Sequence, residues 1–137
     1  MTKDDAIDII QDAGFGFLAT SVDGQPFVRP MMPYLTEDNK FLLALLSRSR
    51  TIEHIRRNSK VEFCFVDRKM SYCRITGNAF LSDDPQKKMT VFAGIPMLRQ
   101  YFSGPEDGNF VLAEVRIDTA EAMTAHQKMP TQFFWNS

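Results

Sequence analysis

Strand-like runs bounded by turn signals fill the middle of this chain, and one-sided apolar stripes of helical spacing flank them. Thr2-Lys3-Asp4-Asp5 has the form of a helix start, a threonine cap with a carboxylate three positions on. Ile7, Ile10 and Ala13 then share one helix face, and Gly14 is a natural stop. Gly16–Val22 is predicted as a strand, Asp23-Gly24 as a hairpin turn, and Pro26–Leu35 as the returning strand. Pro30 and Pro33 lack backbone donors, so they suit an edge, a bulge or a ligand-facing stretch. A turn at Thr36–Lys40 leads into the strand Phe41–Leu46, and a short helix follows from about Thr51 to Asn58. Val61–Val66 and Ser71–Leu81 are two more strands, joined by Asp67-Arg68-Lys69. Asp84-Pro85 opens another helix, interrupted at Gly94 and Pro96 and ending near Phe102. After a loop at Gly104–Gly108, Phe110–Ile117 is a sixth strand and Glu121–Thr124 a short seventh. The tail Thr131-Gln132-Phe133-Phe134-Trp135 is too apolar for water and is expected to dock.

Six or seven strands with few helices predict a closed antiparallel barrel, because closure removes exposed sheet edges. Phe41–Leu46 shows no polar alternation, so both of its faces need cover. One face suits a barrel interior, and a dimer partner is the simplest cover for the other. The 137 residues suit one domain, 1–137, and 44% hydrophobic residues can fill its core.

A net charge of −1 lacks the basic excess of a phosphate-gripping nucleic-acid binder. The acidic N-terminus does not suit a signal peptide, and no apolar run nears the roughly 20 residues of a membrane helix. Cys64 and Cys73 lie in strand-like runs without CxxC spacing, which suits buried free thiols in a reducing cytoplasm.

The densest candidate chemistry is Ser47-Arg48-Ser49-Arg50-Thr51, between an apolar strand and a helix. A helix start offers unpaired N–H groups and partial positive charge, and the arginines and hydroxyls add phosphate donors. The same residues would also serve as a solvated basic turn with a serine cap. Arg29 interrupts an apolar strand, so it either reaches the barrel rim or pairs with a buried anion. Tyr72, Arg74 and Thr76 share one strand face, and Cys73, Ile75 and Gly77 the other. His54 is placed on the outer part of a helix and His126 in a terminal loop, without metal spacing. Hydrolase and nucleotide-loop motifs are absent, so redox chemistry would come from a cofactor.

The run from Gly24-Gln25-Pro26 through Arg29, Ser49-Arg50, the helix and Asn58-Ser59-Lys60-Val61 resembles the pyridoxamine phosphate oxidase-like flavin-binding family. That family includes small general-stress flavoproteins and nitroimidazole-resistance proteins, and the likeness spans about Phe15 to Leu81. It implies a mainly β split barrel with flanking helices, a homodimer with flavin mononucleotide (FMN) at the subunit interface. Arg29, Pro30 and Met31 would run beside the flavin ring and ribityl chain. Ser49, Arg50 and Thr51 would hold the phosphate, with Ser47 and Arg48 close by. Tyr72 would reach the ring from the second subunit, and Trp135 would cover it from the tail.

Two departures qualify the likeness. Thr51 stands where the family often has lysine, which removes one charge at the phosphate. The arginine-rich C-terminal segment of the oxidase proper has no counterpart before Ser137, so oxidation of pyridoxamine phosphate is not expected. The implied function is an oxidoreductase that passes electrons from reduced flavin to a small acceptor, with a nicotinamide nucleotide as possible donor. Alternatives are a non-enzymatic FMN carrier or holder, a deazaflavin or haem binder on the same fold, and a structural dimerisation module. For haem, no core strand offers a convincing axial ligand.

Overall fold

The computed structural model describes residues 2–136, so Met1 and Ser137 of the expected 1–137 domain lie outside the described residues. Helix α1 spans Lys3–Ala13; Thr2 and Asp5 form a reciprocal capping box, and Gly14 at φ 80° ends it. Its buried face of Ala6, Ile9 and Ile10 joins the main core.

Strands β1 (Gly16–Val22) and β2 (Gln25–Met31) form a hairpin through Asp23 and Gly24. Both turn residues have positive φ, 51° and 82°, the twist that suits a two-residue connection. The expected strand Pro26–Leu35 is divided: β2 ends at Met31, and β3 is only Tyr34–Leu35. Pro33 in the gap has no N–H for a ladder. Strand β4 is Phe41–Leu46, helix α2 is Arg50–Arg57, and β5 is Lys60–Val66. Strand β6 runs Tyr72–Ser82, helix α3 Pro85–Gly94, and a 3₁₀ turn Pro96–Gln100. The expected sixth and seventh strands are one, β7 at Phe110–Met123, and the tail adds β8 at Thr131–Phe134. The register slips between Thr76 and Gly77, where a Cβ on Gly77 would meet the Arg116 carbonyl at 2.2 Å. That bulge lets a long strand bend and continue rather than stop.

The strands pair antiparallel in the order β2-β1-β5-β6-β7-β4-β3, with β8 also on β7. The expected closed barrel is therefore corrected to an open sheet: β2 and β3 end the path and do not pair with each other. Wrapping still encloses a core of Leu18, Phe41, Phe63, Phe65, Ile75 and Val115. Stacked rings Phe63 and Phe65 lie 5.2 Å apart in it.

The second cover over β4 also differs from expectation. Leu42 packs with Val91, Ile95, Leu98 and Phe102, so α3 and the 3₁₀ turn of the same chain supply that layer. Only Leu46 at the strand end stays exposed, at 47%. Cys73 is buried and Cys64 half-buried, both free. Their strand registers put them on opposite sheet faces, since Cys64 lies opposite Arg74 and Cys73 opposite Phe65. Among the described residues no helix is long and apolar enough to cross a membrane.

Candidate functional site

Chain direction changes sharply where β4 ends. The Ser49 amide donates to the Leu46 carbonyl at 2.8 Å, and Ser47 is pinned to Asn109 through backbone and side chain. Ser49 then caps α2, its Oγ accepting from the Thr51 amide at 3.1 Å. The amide of Arg50 before it is one of the first-turn donors that a helix leaves unpaired.

A cleft of about 290 Å³ opens beside this turn. It is lined by Arg29, Pro30 and Met31 of β2, by Ala44, Leu45 and Leu46 of β4, and by Ser49 and Thr51 at the start of α2. Ile95, Met97, Leu98, Tyr101 and Phe102 add an apolar wall. A neighbouring depression of about 490 Å³ is lined by Ser47, Arg48 and Asn109, and shares Leu46, Ser49 and Tyr101 with the cleft.

The electrostatics are one-sided. Among the described residues, Arg29, Arg48 and Arg50 have no carboxylate within ion-pair distance, although Arg57, Arg68 and Arg74 each do. Burial, and then the nearby charge of Arg50, lower the affinity of Arg29 for its proton. Arg29 donates to the carbonyls of Leu18 (3.2 Å) and Phe27 (3.4 Å) and to Nδ1 of His54 (3.0 Å). Thr20 Oγ1 lies 2.9 Å from the same nitrogen. Burial first, and then Arg29, Arg50 and Arg57, push the His54 imidazole below its ordinary value; Glu53 acts weakly the other way.

The chain thus brings Arg29, Pro30, Met31, Ser49 and Thr51 into one cleft, with Ser47 and Arg48 in the adjoining depression. Arg50 is exposed at the first position of α2. Tyr72 does not join them: it begins β6, opposite Val66 and Met123, on the outer sheet face. Trp135 is a correction. Its ring is 2% exposed, packs in the main core, and its Nε1–H donates to the Asn39 carbonyl, so it has no free face for a cofactor.

Sequence reasoning missed His54 as a partner of Arg29, having placed it on the outer part of its helix. It also missed the wall from Ile95 to Phe102. The break at Gly94-Ile95-Pro96 was the available signal that this segment turns back over β4. Asn109, 62 positions from Ser47, carried no local signal.

The sequence profile described as pyridoxamine 5'-phosphate oxidase matches residues 2–124. General Stress Protein 26 from Bacillus anthracis str. Sterne is 26% identical, with TM-score 0.80 over 96% of this chain and 97% of that one. A pyridoxamine 5'-phosphate oxidase-related, FMN binding protein from Nostoc punctiforme PCC 73102 is 17% identical, TM-score 0.72, covering 94% and 85%. A heme binding protein from Mycobacterium smegmatis is 11% identical, TM-score 0.81, covering 97% of this chain and 57% of that one. Among curated proteins no relative matches.

Proposed function

This chain belongs to the pyridoxamine 5'-phosphate oxidase family, and on that premise we propose that it is a flavoprotein binding FMN in the cleft beside α2. The observation that carries this reading is that Arg29 of β2 and Arg48 and Arg50 around the start of α2, beside an apolar cleft, have no carboxylate within ion-pair distance among the described residues. Uncompensated arginines there favour a phosphate, and an apolar wall favours a planar ring. Ser49, Arg50 and Thr51 hold the phosphate in this reading, with Ser47 and Arg48 beside them. Arg29, Pro30 and Met31 line the ribityl chain and ring, and the charge of Arg29 also acts on the phosphate at the end of that chain. Thr51 is neutral where the resemblance implies a lysine, and Arg48 supplies the charge instead.

One chain encloses only about 290 Å³, just under the ~300–1,000 Å³ of typical ligand sites. A second copy of the chain completes the site in this proposal, and Tyr72 reaches the ring from that copy. Phe17, Val28 and Val66 support it, as exposed apolar side chains on one outer face of β1, β2 and β5.

When bound, the flavin supplies the electron-transfer chemistry. The chain binds and orients it, and its apolar wall keeps water from the ring. The proposed activity passes electrons from reduced flavin to a small acceptor, with a nicotinamide nucleotide as donor, in a cytoplasmic setting. A non-enzymatic FMN carrier needs the same residues and differs only in turnover. Haem is less well supported, although the M. smegmatis relative is a heme binding protein. The cleft has neither histidine nor cysteine in its lining, and Nδ1 of the nearby His54 is already engaged by Arg29.

The test is an absorbance spectrum of the protein after adding FMN and removing the excess. Flavin bands that stay with the protein support the reading; a colourless protein overturns it. Flavin reduction by a nicotinamide nucleotide and turnover of an acceptor then separate enzyme from carrier.

A further inference from the structure

The β1–β2 register places Leu18 opposite Arg29 and Thr20 opposite Phe27, all on the inner face of the hairpin. His54, on the second turn of α2, meets that face: its ring lies 4.3 Å from the ring of Phe27. The contact between Arg29 Nη2 and His54 Nδ1 has only one sense. A guanidinium donates and never accepts, so this contact puts the lone pair on Nδ1 and the ring proton on Nε2, with the Thr20 hydroxyl, 2.9 Å from the same nitrogen, as a second donor to it. The charged groups acting on this ring are Arg29, Arg50, Arg57 and Glu53. The positive ones dominate, which agrees with a neutral imidazole.

The acceptors that hold Arg29 are therefore two carbonyls and one neutral ring. That choice matters chemically. A carboxylate would anchor the guanidinium equally well but would cancel its charge. Neutral acceptors fix its direction and leave the charge for something else. Three of the five N–H donors of a guanidinium are used, and Nε–H and one Nη2–H have no partner among the described residues.

We propose that His54 is a positioning residue, a neutral acceptor that aims Arg29 at the anionic cofactor without discharging it. This rests on the FMN reading above and deepens it. The role belongs to Nδ1 alone, and that gives an isosteric test, since the side-chain oxygen of Asn or Asp can stand where Nδ1 stands.

The experiment measures FMN and riboflavin affinity for wild type, His54→Asn and His54→Asp, alongside thermal unfolding. His54→Asn should bind FMN within about three-fold of wild type. His54→Asp should bind it at least about ten-fold more weakly, about 1.4 kcal/mol, while remaining as stable as the Asn variant. Riboflavin, without phosphate, should not distinguish the two. Equal FMN affinity of the Asn and Asp variants would overturn the proposal, as would a loss shared by riboflavin. The second arm uses ligand-free protein and nitrogen–proton correlation spectra of the ring. A proton on Nε2, and a titration midpoint that rises in Arg29→Ala, support the pair; a proton on Nδ1 or an unmoved midpoint rejects it. Should wild type retain no FMN, the cofactor reading fails, and this ligand-free arm still decides whether His54 holds Arg29.

Discussion

The indole N–H of Trp135 donates to the backbone carbonyl of Asn39 at 3.0 Å, joining residues 96 positions apart. Asn39 itself has φ 63° in the turn before β4, so this bond locks the tail onto the loop that feeds the strand beneath the cleft. Trp135→Ala is expected to cost about 3–5 kcal/mol, the usual loss for a buried aromatic. Trp135→Phe keeps most of the packing but leaves the carbonyl unpaired, a cost of about 1–3 kcal/mol. Urea unfolding measures both, and a Trp135→Phe variant as stable as wild type would show that the hydrogen bond contributes nothing.

The phosphate end of the cleft can be tested without touching the core. Arg50 is exposed and has no ion-pair partner among the described residues. Arg50→Ala should weaken FMN binding by about 1.5–3 kcal/mol, the worth of a charged hydrogen bond, and leave unfolding unchanged. Equilibrium titration of FMN fluorescence provides the affinity. Riboflavin should bind far more weakly than FMN to wild type and nearly equally to wild type and variant.

Glu114 on β7 holds two lysines, Lys87 at 2.7 Å and Lys40 at 3.4 Å. The hydrogen bond from Lys87 holds its carboxyl below the ordinary 4.5, against the opposing pull of burial. A depressed carboxyl stabilises the fold fully above its unfolded value and loses that contribution as pH falls through the folded one. Stability should therefore decline below about pH 4.5, and Glu114→Gln should flatten that decline. Urea midpoints between pH 3 and pH 7 would show it, and identical slopes would remove Glu114 from the acid response.

Burial pushes the Cys73 thiol up to about 12, with a smaller effect from Cys64. Little thiolate exists at pH 8, and the thiolate is the reactive form. In Cys64→Ser, the remaining Cys73 should therefore be labelled by a disulfide reagent only as fast as the chain unfolds. Rapid labelling under native conditions would mean that the interior beneath β6 opens locally.

Much of the architecture was legible because its signals are local. The capping box of Thr2 and Asp5, the Asp23-Gly24 turn and the alternation of Cys73, Arg74 and Ile75 each depend on residues a few positions apart. Ser49 as the cap of α2 is local too, so the cluster Ser47–Thr51 could be found before any fold was known.

What the chain could not announce are relationships between distant residues. The doubly apolar strand Phe41–Leu46 shows that both faces are covered, but only packing identifies the second cover as Val91, Ile95 and Leu98 rather than another molecule. Whether seven strands close or stop short depends on the pairing of the outermost two, and these, β2 and β3, do not meet. The apolar tail was expected to dock, and only the resemblance put Trp135 over a flavin; it packs in the main core, where the Asn39 carbonyl accepts its N–H. Arg29 was legible as an arginine in an apolar strand; that it is held by uncharged acceptors depends on His54 arriving from α2, 25 positions later. Periodicity and turn chemistry are properties of neighbours in sequence, while cover, closure and charge compensation are properties of neighbours in space.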